Sequence, residues 1–128
     1  MITAVYASLL AIWLVFLSFR VIALRGSPVF SFLNINTDDE EMLQRAIRAH
    51  GNLTEYAPTM VILLYLLETN GTDPSTLHGL GLAFLVGRLM HGFCFAFMKS
   101  SMPLRIGGTV LTLTPLLVAA LMLVSIAL

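Results

Sequence analysis

The stretch Arg45–Met60, "RAIRAHGNLTEYAPTM", decides how the chain is read. It opens like the face of a water-soluble helix and then runs into "VILLYLL", which reads as hydrocarbon. At about 100° per residue, Arg48 and Asn52 lie about 40° apart, and Arg48 and Glu55 about 20°. Arg45 lies about 60° from Arg48, so one narrow helical face carries Arg45, Arg48, Asn52 and Glu55 over about 15 Å of rise. Asn52 alone reads as a polar residue holding two membrane helices together. Four polar residues on one stripe exceed what such adhesion needs, and a surplus of cations inside a bundle is an anion site.

The surrounding sequence supplies the membrane. The chain has 128 residues, 58% hydrophobic and 11% charged, with net charge zero. That length fits a single domain over residues 1–128, and that charge is too low to cover a soluble surface. A zero balance gives no basic footprint for nucleic acid. A single cysteine, Cys94, excludes an intramolecular disulfide framework and reads as an inert buried thiol.

Four segments fit membrane spans of about 20 residues. They are Ile2 to Phe19, roughly Met42 to Leu67, about Leu77 to Met98, and about Ile106 to Leu128. The second and third require shielding of their polar residues. The first has no basic start and reads as a retained span, not a cleavable signal peptide. Arg20, Arg25, Arg45, Arg48, Lys99 and Arg105 all fall in or beside two of the connections, while "ETNGTDPST" and both chain ends lack lysine and arginine. The positive-inside rule puts those basic connections in the cytoplasm and both termini on the non-cytoplasmic side. The expected fold is an all-α integral membrane protein, an up-down bundle of four transmembrane helices.

Local signals fill in the connections. Gly26 and Pro28 stop the first helix, and Thr37 or Asp38 is positioned to cap the second. The acidic run Asp38 to Glu41 suits the positive end of that helix. Pro58 is expected to kink it. Arg20 is expected to snorkel to the headgroups, Trp13 to pack, His78 to sit at the interface, and Tyr6 and Tyr65 to join an aromatic belt.

On the third helix Arg88 and His91 share a face, about 60° apart. Glu55 lies about 15 Å in from Arg45 and Arg88 about 16 Å in from Lys99, so the two are expected to pair, within one chain or between chains. No hydrolase motif and no HExxH is present, and of the three histidines only His50 and His91 are placed to share a site.

"RAIRAHGNLTEYAP" resembles the signature of the MAPEG family, membrane-associated proteins in eicosanoid and glutathione metabolism, and "FLVGRLMH" resembles that family's third helix. The resemblance covers nearly the whole chain and is to small bacterial members related to microsomal glutathione transferases, in an inner membrane. It implies a homotrimer with glutathione as co-substrate, bound between neighbouring chains near the cytoplasmic side. It implies that Arg48, Asn52, Glu55 and Tyr56 hold glutathione, that Arg88 and His91 line the same pocket, and that Arg25 contacts the tripeptide. Arg105, in "MPLRIGG", matches the arginine placed near the thiol and is the implied catalytic residue. The implied activity is conjugation of lipophilic electrophiles or reduction of lipid hydroperoxides, with the second substrate arriving from membrane lipid. Phe95 stands where several family enzymes carry a tyrosine, so thiol activation would rest on Arg105. Ile106 and Gly51 depart from the prostaglandin-synthase branch, so that activity is not expected. The alternatives are a non-catalytic family member binding a lipid or anionic ligand, and a structural bundle or small transporter.

Overall fold

The computed structural model describes residues 1–35, 40–99 and 101–128. It is all-helical: α1 spans Ile2–Leu24, α2 Met42–Thr69, α3 Pro74–Phe97 and α4 Met102–Ala127, with a short 3₁₀ segment at Pro28–Leu33. Thr37, Asp38 and Asp39, the expected caps and acidic start of α2, lie outside the described residues. The described N-cap of α2 is Glu41, with no side-chain capping bond.

Four helix ends have a chemical cause that the structure shows. The first N–H groups of α1 have no helical partner, and Glu68 of α2 supplies one. Its carboxylate accepts from Ile2 N at 2.6 Å and Thr3 N at 2.9 Å. Gly26, at φ 97°, turns the chain out of α1. Gly71, at φ 78°, does the same after α2, where Thr72 N donates to Leu67 O at 3.1 Å. Asp73 caps α3 by accepting from Ser75 N at 3.1 Å and Thr76 N at 3.2 Å, with Pro74 in the first helical position. α2 runs unbroken through Pro58, and α4 runs through a second internal proline, Pro115.

α2 and α3 each touch the other three α-helices, while α1 and α4 make no contact with each other among the described residues. α3 and α4 meet at glycines. A Cβ on Gly108 would lie 2.9 Å from His91 N and 3.1 Å from Gly87 O, and one on Gly87 would lie 2.8 Å from the Leu111 carbonyl carbon. Gly81 receives the ring of Tyr6 and Gly92 the indole of Trp13 in the same way. Small residues of this kind allow close backbone approach where apolar burial gives little drive between helices.

The outer surface inverts the soluble pattern. Ile12 is 66% exposed, and Leu117 and Leu121 are 60% exposed. The fully buried set meanwhile includes Arg20, Arg88 and Thr112. α1, α3 and α4 are each long and apolar enough to cross a membrane. α2 does not meet that standard. Arg45, Arg48, Asn52 and Glu55 occupy its first half, and its continuous apolar run is confined to Met60–Leu67.

Two expectations are corrected. Arg20 does not snorkel: it is 0% exposed, and its guanidinium donates inward to Ala96 O at 2.8 Å, to Ile35 O at 2.7 Å and to Leu33 O. No carboxylate among the described residues pairs with this buried cation; carbonyl dipoles from two segments hold it, with the Phe97 ring 4.8 Å from its central carbon. Tyr6 is not a belt residue. It is 6% exposed, and its hydroxyl lies 3.0 Å from His78 Nδ1 and donates to His78 O at 3.1 Å.

Gly108→Ala should therefore lower the stability of the detergent-solubilised protein by about 1–3 kcal/mol, the usual cost of overpacking against backbone. Gly51→Ala, which meets nothing within 4 Å, should be neutral or stabilising; equal losses in thermal unfolding would refute the close α3–α4 contact. The Ser75 hydroxyl and then the Thr76 N–H hold the Asp73 carboxyl below its usual range. A depressed pKa contributes stability that is present above the unfolded value, about 4, and disappears as pH falls through the folded one. The melting temperature of Asp73→Ala should lie a few degrees below wild type near neutral pH and converge with it in acid. A pH-independent gap would show that the cap is not electrostatic.

Candidate functional site

The polar stripe of α2 meets α3 and α4 around Arg88, which is 1% exposed. Its Nη2 donates to Asn52 Oδ1 at 2.6 Å and lies 3.2 Å from His91 Nδ1. Its Nη1 donates to Thr112 Oγ1 at 3.2 Å. Thr112 in turn donates to Gly108 O at 2.7 Å, which leaves its lone pairs for Arg88. A guanidinium has no acceptor, so the bond to His91 requires a bare Nδ1 and places the neutral imidazole's proton on Nε2. Tyr56 sits with its ring 5.7 Å from the guanidinium carbon. One arginine thus ties α2, α3 and α4 together, and its Nε has no hydrogen-bond partner among the described residues.

The expected Glu55–Arg88 ion pair is not formed within the chain. Arg88 is engaged by Asn52, Thr112 and His91, all neutral, and Glu55 lies on the exposed side of α2. Asn52 is three residues from Glu55, about 60° round the helix, and takes the position facing α3.

A second, cationic layer lies toward the ends of α3 and α4. The Phe95 ring stacks on His91 with centroids 4.5 Å apart and planes 17° apart. The Arg105 guanidinium carbon is 5.4 Å from the centre of the Phe95 ring and that of Arg45 is 5.8 Å. Arg45 also donates to Cys94 O at 3.3 Å, in the last turn of α3 where the helix end is negative, and to Lys99 O just beyond the helix. Phe95 therefore offers a π face to two guanidiniums, and it has no hydroxyl to donate. Arg105 is exposed and lines a cavity of about 330 Å³ with Met102, Ile106, Thr109 and Val110.

Of the residues named from sequence, the fold brings together Asn52, Tyr56, Arg88 and His91, and joins Arg105 to them through Phe95. Arg25 is elsewhere. It lines a separate cavity of about 230 Å³ between α1 and α2, with Ser18, Val21, Ile22, Ile47 and His50. Arg48 and Glu55 are exposed on α2. One chain thus carries these residues in two separate clusters. Sequence reasoning missed Thr112. Its signal was the pair Gly108 and Thr112, one turn apart, a small and a polar residue aligned toward α3. Among the described residues no group of histidine, cysteine or carboxylate side chains is placed to hold a metal ion.

Comparison with known proteins agrees with this membrane architecture. Residues 3–125 match the model of the MAPEG family. The chain is 38% identical over 95 residues to the inner membrane protein YecN of Escherichia coli strain K12, covering 74% of this chain and 70% of that one. The counterpart in Escherichia coli O6:H1, strain CFT073, matches to the same extent. No solved structure matches. With three helices apolar enough to cross a bilayer, a family match over nearly its whole length and inner-membrane relatives, this membrane protein belongs to the MAPEG family.

Proposed function

We propose that the protein is an integral-membrane glutathione-dependent transferase or peroxidase acting on lipophilic electrophiles. In this reading α2 is a fourth span, both termini face the non-cytoplasmic side, and three chains assemble. Glutathione binds near the cytoplasmic end between adjacent chains.

The observation that carries the reading is the exposure of Arg48 and Glu55 beside the part-buried Asn52–Arg88–His91 network. An exposed carboxylate about 15 Å into a span faces hydrocarbon unless something polar covers it, and an uncovered charge there costs a few kcal/mol or more. A zwitterionic, twice-carboxylated tripeptide matches the charges on offer. Arginines take carboxylates in bidentate pairs, and Glu55 takes the ammonium. The two clusters fit one ligand if the Arg25 and His50 groove of one chain faces the Arg88 and Arg105 cluster of its neighbour.

The chemistry needs a thiolate. A thiol with a reference pKa of about 8.5 is mostly protonated at neutral pH. Arg105 is an exposed cation and stabilises the anion by charge and hydrogen bonding. The sulfur then attacks an electrophilic carbon and displaces its leaving group, or takes the terminal oxygen of a hydroperoxide and releases the alcohol. In the second case another glutathione converts the sulfenic acid to disulfide and water. The competing reading is a non-catalytic binder of a lipid or anionic ligand, favoured by Phe95, whose stacked ring cannot donate to a thiolate.

Calorimetry of the detergent-solubilised protein should show glutathione binding in the micromolar to millimolar range, and no heat at millimolar glutathione would exclude the leading reading. Asn52→Ala and Glu55→Ala should each weaken binding by roughly tenfold or more, since a hydrogen bond to a charged group contributes about 1.5–3 kcal/mol. Arg105→Ala should reduce turnover of a model electrophile on the order of 10²-fold while changing affinity far less. Parallel losses of both would make Arg105 an anchor only, and binding without turnover would favour the non-catalytic reading.

A further inference from the structure

The 3₁₀ segment after α1 carries a feature that the glutathione reading does not use. Val29 is 73% exposed, Phe32 71% and Ile35 50%, three large apolar residues at a spacing of three. Two of the residues between them, Phe30 and Leu33, are anchored. Leu33 is 7% exposed, and the Phe30 ring stacks on Phe19 with centroids 4.5 Å apart. Arg20 holds the carbonyls of Leu33 and Ile35 while its Nε binds Ala96 O. The outward apolar side chains are therefore presented by a fixed backbone.

The anchors also set the depth. α1 has 23 residues, about 34 Å, against a hydrocarbon thickness of about 30 Å, so Leu24 lies at the edge of the apolar slab. The segment does not project onward into water. It folds back to Phe19 and Arg20, which lie four to five residues before Leu24, about 6–7 Å toward the membrane centre. Interfacial segments bury their apolar face about 5–10 Å into the boundary between headgroups and acyl chains. The exposed apolar side chains of α1, Val15, Phe16 and Ile22, lead along the same helix to this segment. Exposed Arg25 and Lys99 lie at the same end, which the Arg20–Ala96 and Arg45–Lys99 bonds tie together. That end therefore offers cations to anionic headgroups.

We propose that Pro28–Leu33, extended to Ile35, is an interfacial docking element that inserts Val29, Phe32 and Ile35 among phospholipid acyl chains at the headgroup boundary. Arg20 is its tether. The bilayer is the occupant of this face, and the proposal is independent of whether the chain binds glutathione.

The test uses the full chain in vesicles of phosphatidylcholine and phosphatidylglycerol, with Phe32→Cys or Val29→Cys in a Cys94→Ala background and a fluorophore on the new thiol. Both substituted side chains are exposed, so the core is undisturbed at these positions. Lipids spin-labelled on the acyl chain near the headgroup should quench either fluorophore several-fold more strongly than lipids labelled near the chain end, and more strongly than aqueous iodide. Dominant iodide quenching would place the segment in water and overturn the proposal. Protection from both quenchers, with energy transfer between labelled copies, would assign the face to a second chain and overturn it as well.

Discussion

The site depends on one guanidinium that is buried with no carboxylate among its described partners. Both Nη groups of Arg88 are engaged, by an amide oxygen, a hydroxyl and an imidazole from three helices, and each of those groups is neutral. Removing a cation from water is costly unless its donors are matched, so α2, α3 and α4 must approach closely enough to supply all three acceptors. Gly87 and Gly108 provide that approach, because a Cβ on either would strike the facing backbone. Among the described residues no acidic partner cancels that charge. A cluster built in this way sets up a positive field at its border and leaves the only acid on the stripe, Glu55, facing outward.

A division of labour among the arginines follows. Arg20 and Arg88 are interior and serve the fold, the first by clamping the connection after α1 to the end of α3, the second by joining three helices. Arg45 spans both roles, bonded to one carbonyl in the last turn of α3 and one just beyond it, and facing the Phe95 ring. Arg25, Arg48 and Arg105 point out of the bundle, where a ligand or a neighbouring chain can reach them. Sorting by burial thus separates residues that a family signature places side by side.

Much of this was legible in the sequence. The helices follow from apolar runs broken by Gly26, Asn70-Gly71 and the Ser100-to-Pro103 stretch, and helical periodicity predicted the α2 stripe. The partner choices were not legible. Depth alone matched Glu55 to Arg88, yet depth ignores azimuth, and Asn52 occupies the inward angle. Arg20 sits where snorkelling is the default, and the Ala96 carbonyl of α3 together with the backward fold of the following 3₁₀ segment turns it inward. Thr112, in "LTLTPLL", is set apart from its exposed neighbour Thr114 only by lying one turn after Gly108, a spacing that gains meaning once α4 is seen to meet α3 there. Tyr6 was assigned to the interface from position, but its hydroxyl had a nearer partner in His78.

The grip of Glu68 on the first two N–H groups of α1 makes the two ends of the chain unequal. Ile2 and Thr3 are fastened to the end of α2, and Thr3 is buried. Leu128 is fully exposed and is held only by the last turn of its own helix. A purification tag or fluorescent fusion at the amino end has to leave a carboxylate-capped helix start intact, so the carboxyl end is the natural attachment point for any handle used to study this protein.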